Sequence, residues 1–329
     1  MSDLLASAFI KQCARSLGFA ACGIAPAERV SAGREKEVRT WLKESRNGDM
    51  HYLSAQLEKR LDPRLLVEGA RSVVSVALNY FPARTLSADG YQLARYALGK
   101  DYHDVVREKL RRFIGKIGLQ EWTDGRAFCD TAPIDEHYWA WRCGIGWRGR
   151  NSQIILPHGG SYFFLGELVL THEVDSYDTP LENRCGQCCK CIEACPTGAL
   201  DDGRLDARRC LSYLTIEKRG ELPDTAKAAM GRCIYGCDRC AEACPWNHFA
   251  RPTNEEAFRP SDALCRMTAA DWQQLTVEQY QKLFKGSAVK RAKYEGLLRN
   301  IQAVSAAEQQ EKEGGSGTKI SHPEPSSGT

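Results

Sequence analysis

The chain has no apolar run approaching the ~20 residues that a membrane-spanning helix needs, so no span of that kind is expected. Its start, Met-Ser-Asp-Leu-Leu-Ala, carries neither a basic n-region nor a twin-arginine signal. The expectation is a cytoplasmic protein with no membrane association. A net charge of +3 is too small to mark the whole surface as a nucleic-acid binder, so any basic contact must be local. No internal repeat appears outside one cysteine-rich stretch. At 329 residues the chain exceeds what one core usually organises, and two domains plus a tail are expected.

What the chain has in quantity is cysteine. Ten of its fifteen cysteines fall between Cys185 and Pro245. The stretch opens with Cys185-Gly-Gln-Cys188-Cys-Lys-Cys191-Ile-Glu-Ala-Cys195-Pro196 and closes with Cys237-Asp-Arg-Cys240-Ala-Glu-Ala-Cys244-Pro245. In such a run three thiolates wrap one cubane, while the cysteine before the proline ligates a second cluster. This is the pattern of a two-cluster ferredoxin. Structural zinc rarely shows a three-cysteine run with this ending, and a disulfide framework belongs to small secreted chains. The second motif is irregular, because Ile234 stands where its first ligand should be. Cys210 and Cys233 are the candidates for the missing ligand. Cys233 would reach from a shifted backbone position, whereas Cys210 could fold back through a short connection from Cys195. The sets expected are Cys185, Cys188, Cys191 and Cys244 for one 4Fe-4S cluster, and Cys195, Cys210, Cys237 and Cys240 for the other. Cys189 is spare.

Before this stretch, helices and strands mix. Apolar residues at helical spacing over 4–17 predict a helix, followed by a short strand at 19–24 and another helix over 36–43. Ser72–Tyr80 is β-branched and nearly unbroken in apolar character, which predicts a central strand covered on both faces. A helix through Val105, Val106, Leu110, Phe113 and Ile117, a strand at 127–130 and a helix at 135–142 follow. Residues 153–156 and 162–170 read as a hairpin joined by Pro157-His-Gly-Gly160. The glycines of Cys143-Gly-Ile-Gly-Trp-Arg-Gly-Arg-Asn151 follow a helix and precede a strand, the wrong order for a dinucleotide loop. They suit either a backbone approach to a large flat ligand or a plain turn. Helix returns over 268–304. Lys282, Lys285, Lys290, Arg291, Lys293 and Arg299 form a basic cluster there, interleaved with Phe284 and Tyr294; alone it reads as a solvated helix face. Residues from about 306 to 329 are polar and expected to be disordered.

Two cubanes move single electrons, and ferredoxins do so with far fewer residues. The ~180 residues in front must therefore hold the electron acceptor, whether a flavin, a corrinoid or a substrate pocket. No haem-attachment motif is present. Nor is there an Asp-x-His-x-x-Gly sequence to ligate cobalt, since Asp101-Tyr-His103 is followed by Asp-Val-Val.

The chain resembles the epoxyqueuosine reductases, cobalamin-dependent iron-sulfur enzymes. The resemblance is carried by Arg95-Tyr-Ala-Leu-Gly-Lys-Asp-Tyr-His103, Asp130-Thr-Ala-Pro133, Gly144-Ile-Gly-Trp-Arg-Gly-Arg-Asn151, Gly160-Ser-Tyr-Phe, the cysteine set and Tyr235-Gly-Cys-Asp-Arg-Cys240, and spans about residues 5–300. It implies an α+β fold: an N-terminal α/β cobalamin-binding catalytic domain with a central sheet (1–178), a bacterial-ferredoxin-like domain with two 4Fe-4S clusters (179–250), a C-terminal helical segment with the basic cluster (251–305) and a disordered tail (306–329). It further implies reduction of epoxyqueuosine to queuosine at the wobble position of tRNA, with cob(II)alamin and two 4Fe-4S clusters as cofactors and no protein ligand to cobalt. Cys210 is then the fourth ligand of the second cluster. Asp130 is the implied proton donor, and burial against an apolar corrin face would keep its carboxyl neutral. Arg60, Gln153, Ile154, Leu165, Ser212, Asp238 and Ala241, with Asp130, are the implied cobalamin contacts. The basic cluster would then position an anticodon stem-loop through its phosphates. The expected partners are tRNA and an electron donor such as a flavodoxin or ferredoxin, acting on a monomer. Some relatives carry a cysteine where this chain has Ala94, and some append helical repeats where it has a polar tail. A reductive dehalogenase and a non-enzymatic electron carrier are the rival readings; a bound corrinoid would exclude the carrier.

Overall fold

The computed structural model describes residues 4–201 and 203–314. Helix α1 (Ser7–Ser16) turns Ile10, Cys13 and Ala14 inward, and β1 (Ala21–Pro26) follows it. Helix α2 (Ala32–Lys43) is capped by the Ser31 hydroxyl, which accepts from the Arg34 N–H. Then come β2 (Ser72–Asn79), β3 (Gln92–Leu93), α3 (Tyr102–Lys116), β4 (Gly125–Phe128), α4 (Glu136–Arg142), β5 (Trp147–Arg148), β6 (Ile154–Ile155) and β7 (Phe163–Leu170). The cysteine-rich part adds a small hairpin of β8 (Leu200–Asp201) and β9 (Arg204–Leu205), helix α5 (Leu211–Ile216) and β10 (Cys233–Tyr235). Helix α6 (Lys293–Gly314) closes the described chain.

Strands β1, β2, β7 and β4 form one antiparallel sheet in that order. The sequence pattern explains why β2 lies inside. Val74, Val76 and Leu78 project to one face, where α1 and α3 pack with Ile10, Val106, Leu110 and Phe113. Val73 projects to the other, against Tyr138 and Trp139 of α4. Each fully buried large apolar side chain contributes about 1.5–3 kcal/mol, against roughly 0–1 for a surface ion pair, so this core rather than the many surface pairs holds the sheet together.

Strand β7 does not form a hairpin with β6, contrary to the expectation from the turn residues between them. β6 pairs with β5, whereas β7 runs between β2 and β4. The reason is burial: β7 is apolar along nearly its whole length and needs partners on both edges. At its middle Glu167 faces Ser75, whose hydroxyl donates to Glu167 Oε1 at 3.1 Å. Burial pushes that carboxyl well above the usual range and keeps it neutral.

A second core joins the C-terminal helices to the cysteine-rich part. Leu86, Tyr91, Leu93, Ala97 and Leu98 pack into it beside Ile234, Tyr235, Trp272 and Phe284. Parallel pairing of β3 with β10 fastens this crossing. Helix α6 continues to Gly314, past residue 306 where disorder was expected, and the Glu308 carboxylate accepts from the Tyr91 hydroxyl at 3.1 Å. The rest of the expected tail, 315–329, lies outside the described residues.

Candidate active site and cluster sites

Asp130 stands just past the end of β4, in a three-residue turn closed by the Thr131 N–H donating to the Cys129 carbonyl at 2.6 Å. Its φ of +54° is unusual for an aspartate. Contacts at both ends of the residue hold it there. The Asp130 N–H donates to a Glu136 carboxylate oxygen at the start of α4. On the other side, Asp130 Oδ2 accepts from the Tyr102 hydroxyl and lies 3.0 Å from His103 Nε2.

Tyr102 and His103 reach this position because Asp101 caps α3, its Oδ1 accepting from the His103 N–H at 3.0 Å. The same oxygen lies 2.7 Å from His103 Nδ1, so the imidazole spans two carboxylates. Tyr102 stacks on Phe164 of β7, with ring centroids 4.3 Å apart.

The protein's own groups act on the Asp130 carboxyl in opposite directions. Its surroundings push the carboxyl up, but the hydrogen bonds from His103 and Tyr102 and the charge on His103 outweigh this and hold it below its ordinary value. Its side chain is 53% exposed, and the protein's own side chains leave one side of it open. The proton sits next door. Burial pulls the His103 pKa down, but the hydrogen bonds to Asp101 and Asp130 prevail and raise it to about 9. Glu136 is pushed up, first by burial and then by the charge on Asp130. The site thus holds a carboxylate between proton-bearing neighbours. Sequence reading missed Tyr102, His103 and Glu136 as members; the Asp-Tyr-His run inside a motif of the family resemblance was the one signal for Tyr102 and His103, and Glu136 carried none.

Cys185, Cys188, Cys191 and Cys244 line one small cavity with Trp246. Its remaining wall includes Arg150, Asn151 and Ile155 from the sheet-bearing part. Asn247 locks this junction: its Oδ1 accepts from the Ser161 N–H at 2.6 Å and its Nδ2 donates to the Ala241 carbonyl at 2.6 Å. Gly160 is required there, since its φ is +77° and a Cβ would lie 2.1 Å from Asn247 Oδ1. The glycines of residues 144–149 behave similarly. A Cβ on Gly146 would lie 2.7 Å from the Ile155 carbonyl, so close packing of the protein's own backbone accounts for that glycine.

Cys210, Cys237 and Cys240 lie within electrostatic reach of one another, Cys195 of Cys210, and Cys240 of Cys191 in the first set. Cys195 Sγ accepts the Ala199 N–H at 3.2 Å, a contact of the kind that tunes cluster potentials. Cys233 is engaged elsewhere, its thiol donating to the Gly236 carbonyl at 2.9 Å and pushed up to about 12 by burial and then by Cys237. Cys189 donates to Glu193 at 2.7 Å. Among the described residues no three His, Cys, Asp or Glu side chains converge on a point suited to a single metal ion.

The implied cobalamin contacts fall in several places. Arg60 lines a cavity of about 620 Å³ with Trp41, Met50, Leu53, His137 and Ser152. Ile154 and Leu165 belong to an apolar cluster on the sheet with Ala77 and Ala140. Asp238 accepts from the Arg95 N–H at 2.7 Å and lines a smaller cavity with Cys237. Gln153 and Ser212 are half-buried and Ala241 is buried. Neither of these two cavities gathers all seven. The large one carries unmet hydrogen-bonding capacity, since Arg60 Nε and Arg148 Nε are buried without a partner on its wall. Burial lowers the His137 pKa to about 4, leaving it neutral there.

The basic cluster divides as well. Phe284 is 1% exposed and so unavailable to a ligand. Arg299 donates to the carbonyls of Leu214, Lys218 and Gly220, a structural role. Lys282, Lys285, Lys290, Arg291 and Lys293 remain exposed.

Comparison with known proteins agrees with this arrangement. A family described as "Epoxyqueuosine reductase QueG, DUF1730" matches residues 60–131, and a "4Fe-4S double cluster binding domain" matches 184–247. The epoxyqueuosine reductase of Leadbetterella byssophila is 44% identical over 302 residues, covering 90% of this chain and 97% of the relative. That of Escherichia coli K12 is 38% identical, covering 89% and 78%. The structure of the Streptococcus thermophilus enzyme aligns with a TM-score of 0.81 at 29% identity, covering 91% of this chain and 80% of the other. A crystal structure of an epoxyqueuosine reductase with an epoxyqueuosine-modified tRNA-Tyr stem loop aligns with the same TM-score and coverage at 30% identity. A catabolic reductive dehalogenase aligns only at 0.43 and 17% identity, too distant to carry anything to this chain. Identity at this level over nine-tenths of the chain makes it a member of the epoxyqueuosine reductase family, oxidoreductases with a double 4Fe-4S cluster domain.

Proposed function

We propose that the chain binds cobalamin and two 4Fe-4S clusters and reduces epoxyqueuosine to queuosine in the wobble position of tRNA. The observation that carries this reading is the Asp130 site itself: an ionised carboxylate bonded to a protonated imidazole and a phenol, on a unit whose own residues wall the first cysteine cavity. Removing an epoxide oxygen as water takes two electrons and two protons. Such a site holds protons beside a route for electrons. The tRNA substrate is supported by the family and by the relative crystallised with an epoxyqueuosine-modified stem loop.

Cys185, Cys188, Cys191 and Cys244 would hold one cluster, and Cys195, Cys210, Cys237 and Cys240 the other. For the corrinoid, the fit rests on the donor set. Arg60 Nε and Arg148 Nε suit a ligand rich in amide carbonyls, and the largely apolar cavity they line suits the edge of a flat macrocycle. Gln153, Ile154, Leu165, Ser212, Asp238 and Ala241 would complete the surround. When bound, cobalamin supplies a reducible cobalt centre between the clusters and the substrate. The protein's part is protonic. His103, held protonated by Asp101 and Asp130, passes its proton to Asp130 Oδ2 across their 3.0 Å contact, Asp130 delivers it to the oxygen leaving the epoxide, and the second proton that completes water comes from solvent, to which Asp130 is half exposed. A related structure from Bacillus subtilis has its aspartate-bearing catalytic loop swung out of the active site, which suits an acid held on a turn.

An electron donor such as a flavodoxin or ferredoxin would serve a cytoplasmic monomer. Among the described residues no helix is long and apolar enough to cross a membrane. Anaerobic reconstitution followed by iron analysis and a corrinoid titration tests the cofactor assignment. Two clusters with saturable corrinoid absorbance support it, a flavin spectrum would point to a flavin reductase, and iron-sulfur absorbance alone would return the chain to an electron carrier.

A further inference from the structure

Tyr52 is a large aromatic that the fold leaves 52% exposed. It opens the short helix Tyr52–Ala55, between Met50 and Leu53, which line the 620 Å³ cavity while Tyr52 itself lies outside that lining. The guanidinium carbon of Arg291 lies 5.8 Å from its ring centroid, within cation–π reach. Arg291 is itself fixed. Its Nε and a terminal nitrogen donate to the two carboxylate oxygens of Glu217, each at 2.8 Å, an arrangement that sets the plane of the guanidinium. Tyr52 and Arg291 both lie within electrostatic reach of Asp130, and Tyr52 also of Arg60 and Glu217. Three distant segments of the chain therefore meet within electrostatic reach of Asp130, and the aromatic among them is half open to solvent.

An exposed ring backed by a fixed cation is a stacking surface for a nucleobase, because every base presents a π-face. Single-stranded RNA is recognised in this way, with bases splayed out of their own stack and laid on aromatic and arginine planes. A nucleotide drawn toward Asp130 leaves its loop unstacked, and its neighbours need a replacement surface. Lys290 and Lys293, exposed on either side of Arg291 in the chain, offer cations for the phosphates of such a loop. We propose that Tyr52, braced by Arg291 and Glu217, stacks against an unpaired base of the RNA substrate at the mouth of the Asp130 site. This rests on the tRNA reading above and adds to it a specific contact.

The test uses the reconstituted full chain and an epoxyqueuosine anticodon stem-loop carrying 2-aminopurine beside the modified nucleotide. Wild-type protein should alter the 2-aminopurine fluorescence on binding, and Tyr52→Ala should abolish that change and weaken binding about tenfold or more. Tyr52→Phe and Tyr52→Trp, which keep an aromatic face, should bind within about twofold of wild type. Corrinoid titration should be the same for all four proteins. Wild-type binding by Tyr52→Ala would overturn the stacking role. So would an equal loss in Tyr52→Phe, which would assign the effect to the hydroxyl, or a loss of corrinoid binding in Tyr52→Ala, which would make Tyr52 a cofactor wall. If the wild type fails to bind the stem-loop, both this contact and the tRNA reading fall; if it binds and Tyr52→Ala matches it, only the contact does.

Discussion

Replacing His103 with glutamine removes the proton store beside Asp130 while keeping a polar side chain of similar reach. Folding raises the imidazole pKa from 6.5 to about 9, a change equivalent to ~3 kcal/mol in favour of the charged form. Asp130 is half exposed, and solvent screening brings the share felt as stability down to ~1–2 kcal/mol. Because the shift is upward, this contribution is complete below pH 6.5 and is lost as the pH climbs through about 9. Wild type should therefore lose denaturant stability between roughly pH 6.5 and 9.5 by that amount, and His103→Gln should not show this pH-dependent loss. Activity should follow the same group, with kcat/KM falling above pH 9 in the wild type and low throughout in His103→Gln. The direct assay is NMR titration of the His103 imidazole, in a chain with only seven histidines to resolve. A His103 that titrates at or below 6.5 would refute the reasoning, because the contacts to Asp101 and Asp130 would then not be holding a proton.

Asp130→Asn should keep both clusters and corrinoid binding while single-turnover reduction of the stem-loop falls by about 10²–10⁴-fold; full activity in that variant would remove the acid role. Cys210→Ser should lower iron from about eight to about four atoms per chain, whereas Cys233→Ser should leave iron content unchanged. Lys285→Glu combined with Lys290→Glu should weaken stem-loop binding and flatten its dependence on log salt by about 1–2, and unchanged binding would return these lysines to a solvated helix face. Asn300, buried, donates to the carbonyls of Thr215 and Ile234 at 2.8 Å each, so Asn300→Ala should cost about 2–3 kcal/mol in chemical denaturation.

The parts of this molecule legible in the sequence are those written by local pattern. Cysteine spacing located the cluster region, and the β-branched run at residues 72–80 located the central strand, because in each case the signal and its structural consequence span few residues. Pairing is not local. The turn at Pro157–Gly160 suggested a hairpin, but β7 takes its partners from β2, some ninety residues earlier, and from β4. The partners of Asp130 were illegible for a related reason: Tyr102 and His103, whose hydrogen bonds hold its carboxyl below the ordinary value, arrive on another helix. In the basic cluster, charge was visible but commitment was not, since only the fold shows Arg299 spent on three carbonyls and Phe284 buried.

The most direct measurement of the central claim is anaerobic incubation of the reconstituted protein with epoxyqueuosine-containing tRNA, cobalamin and a strong reductant, followed by nucleoside mass spectrometry. The account predicts loss of one oxygen from the modified nucleoside to give queuosine, dependent on cobalamin and slowed by about 10²–10⁴-fold in Asp130→Asn. Unchanged epoxyqueuosine in the presence of both clusters and bound corrinoid would contradict it.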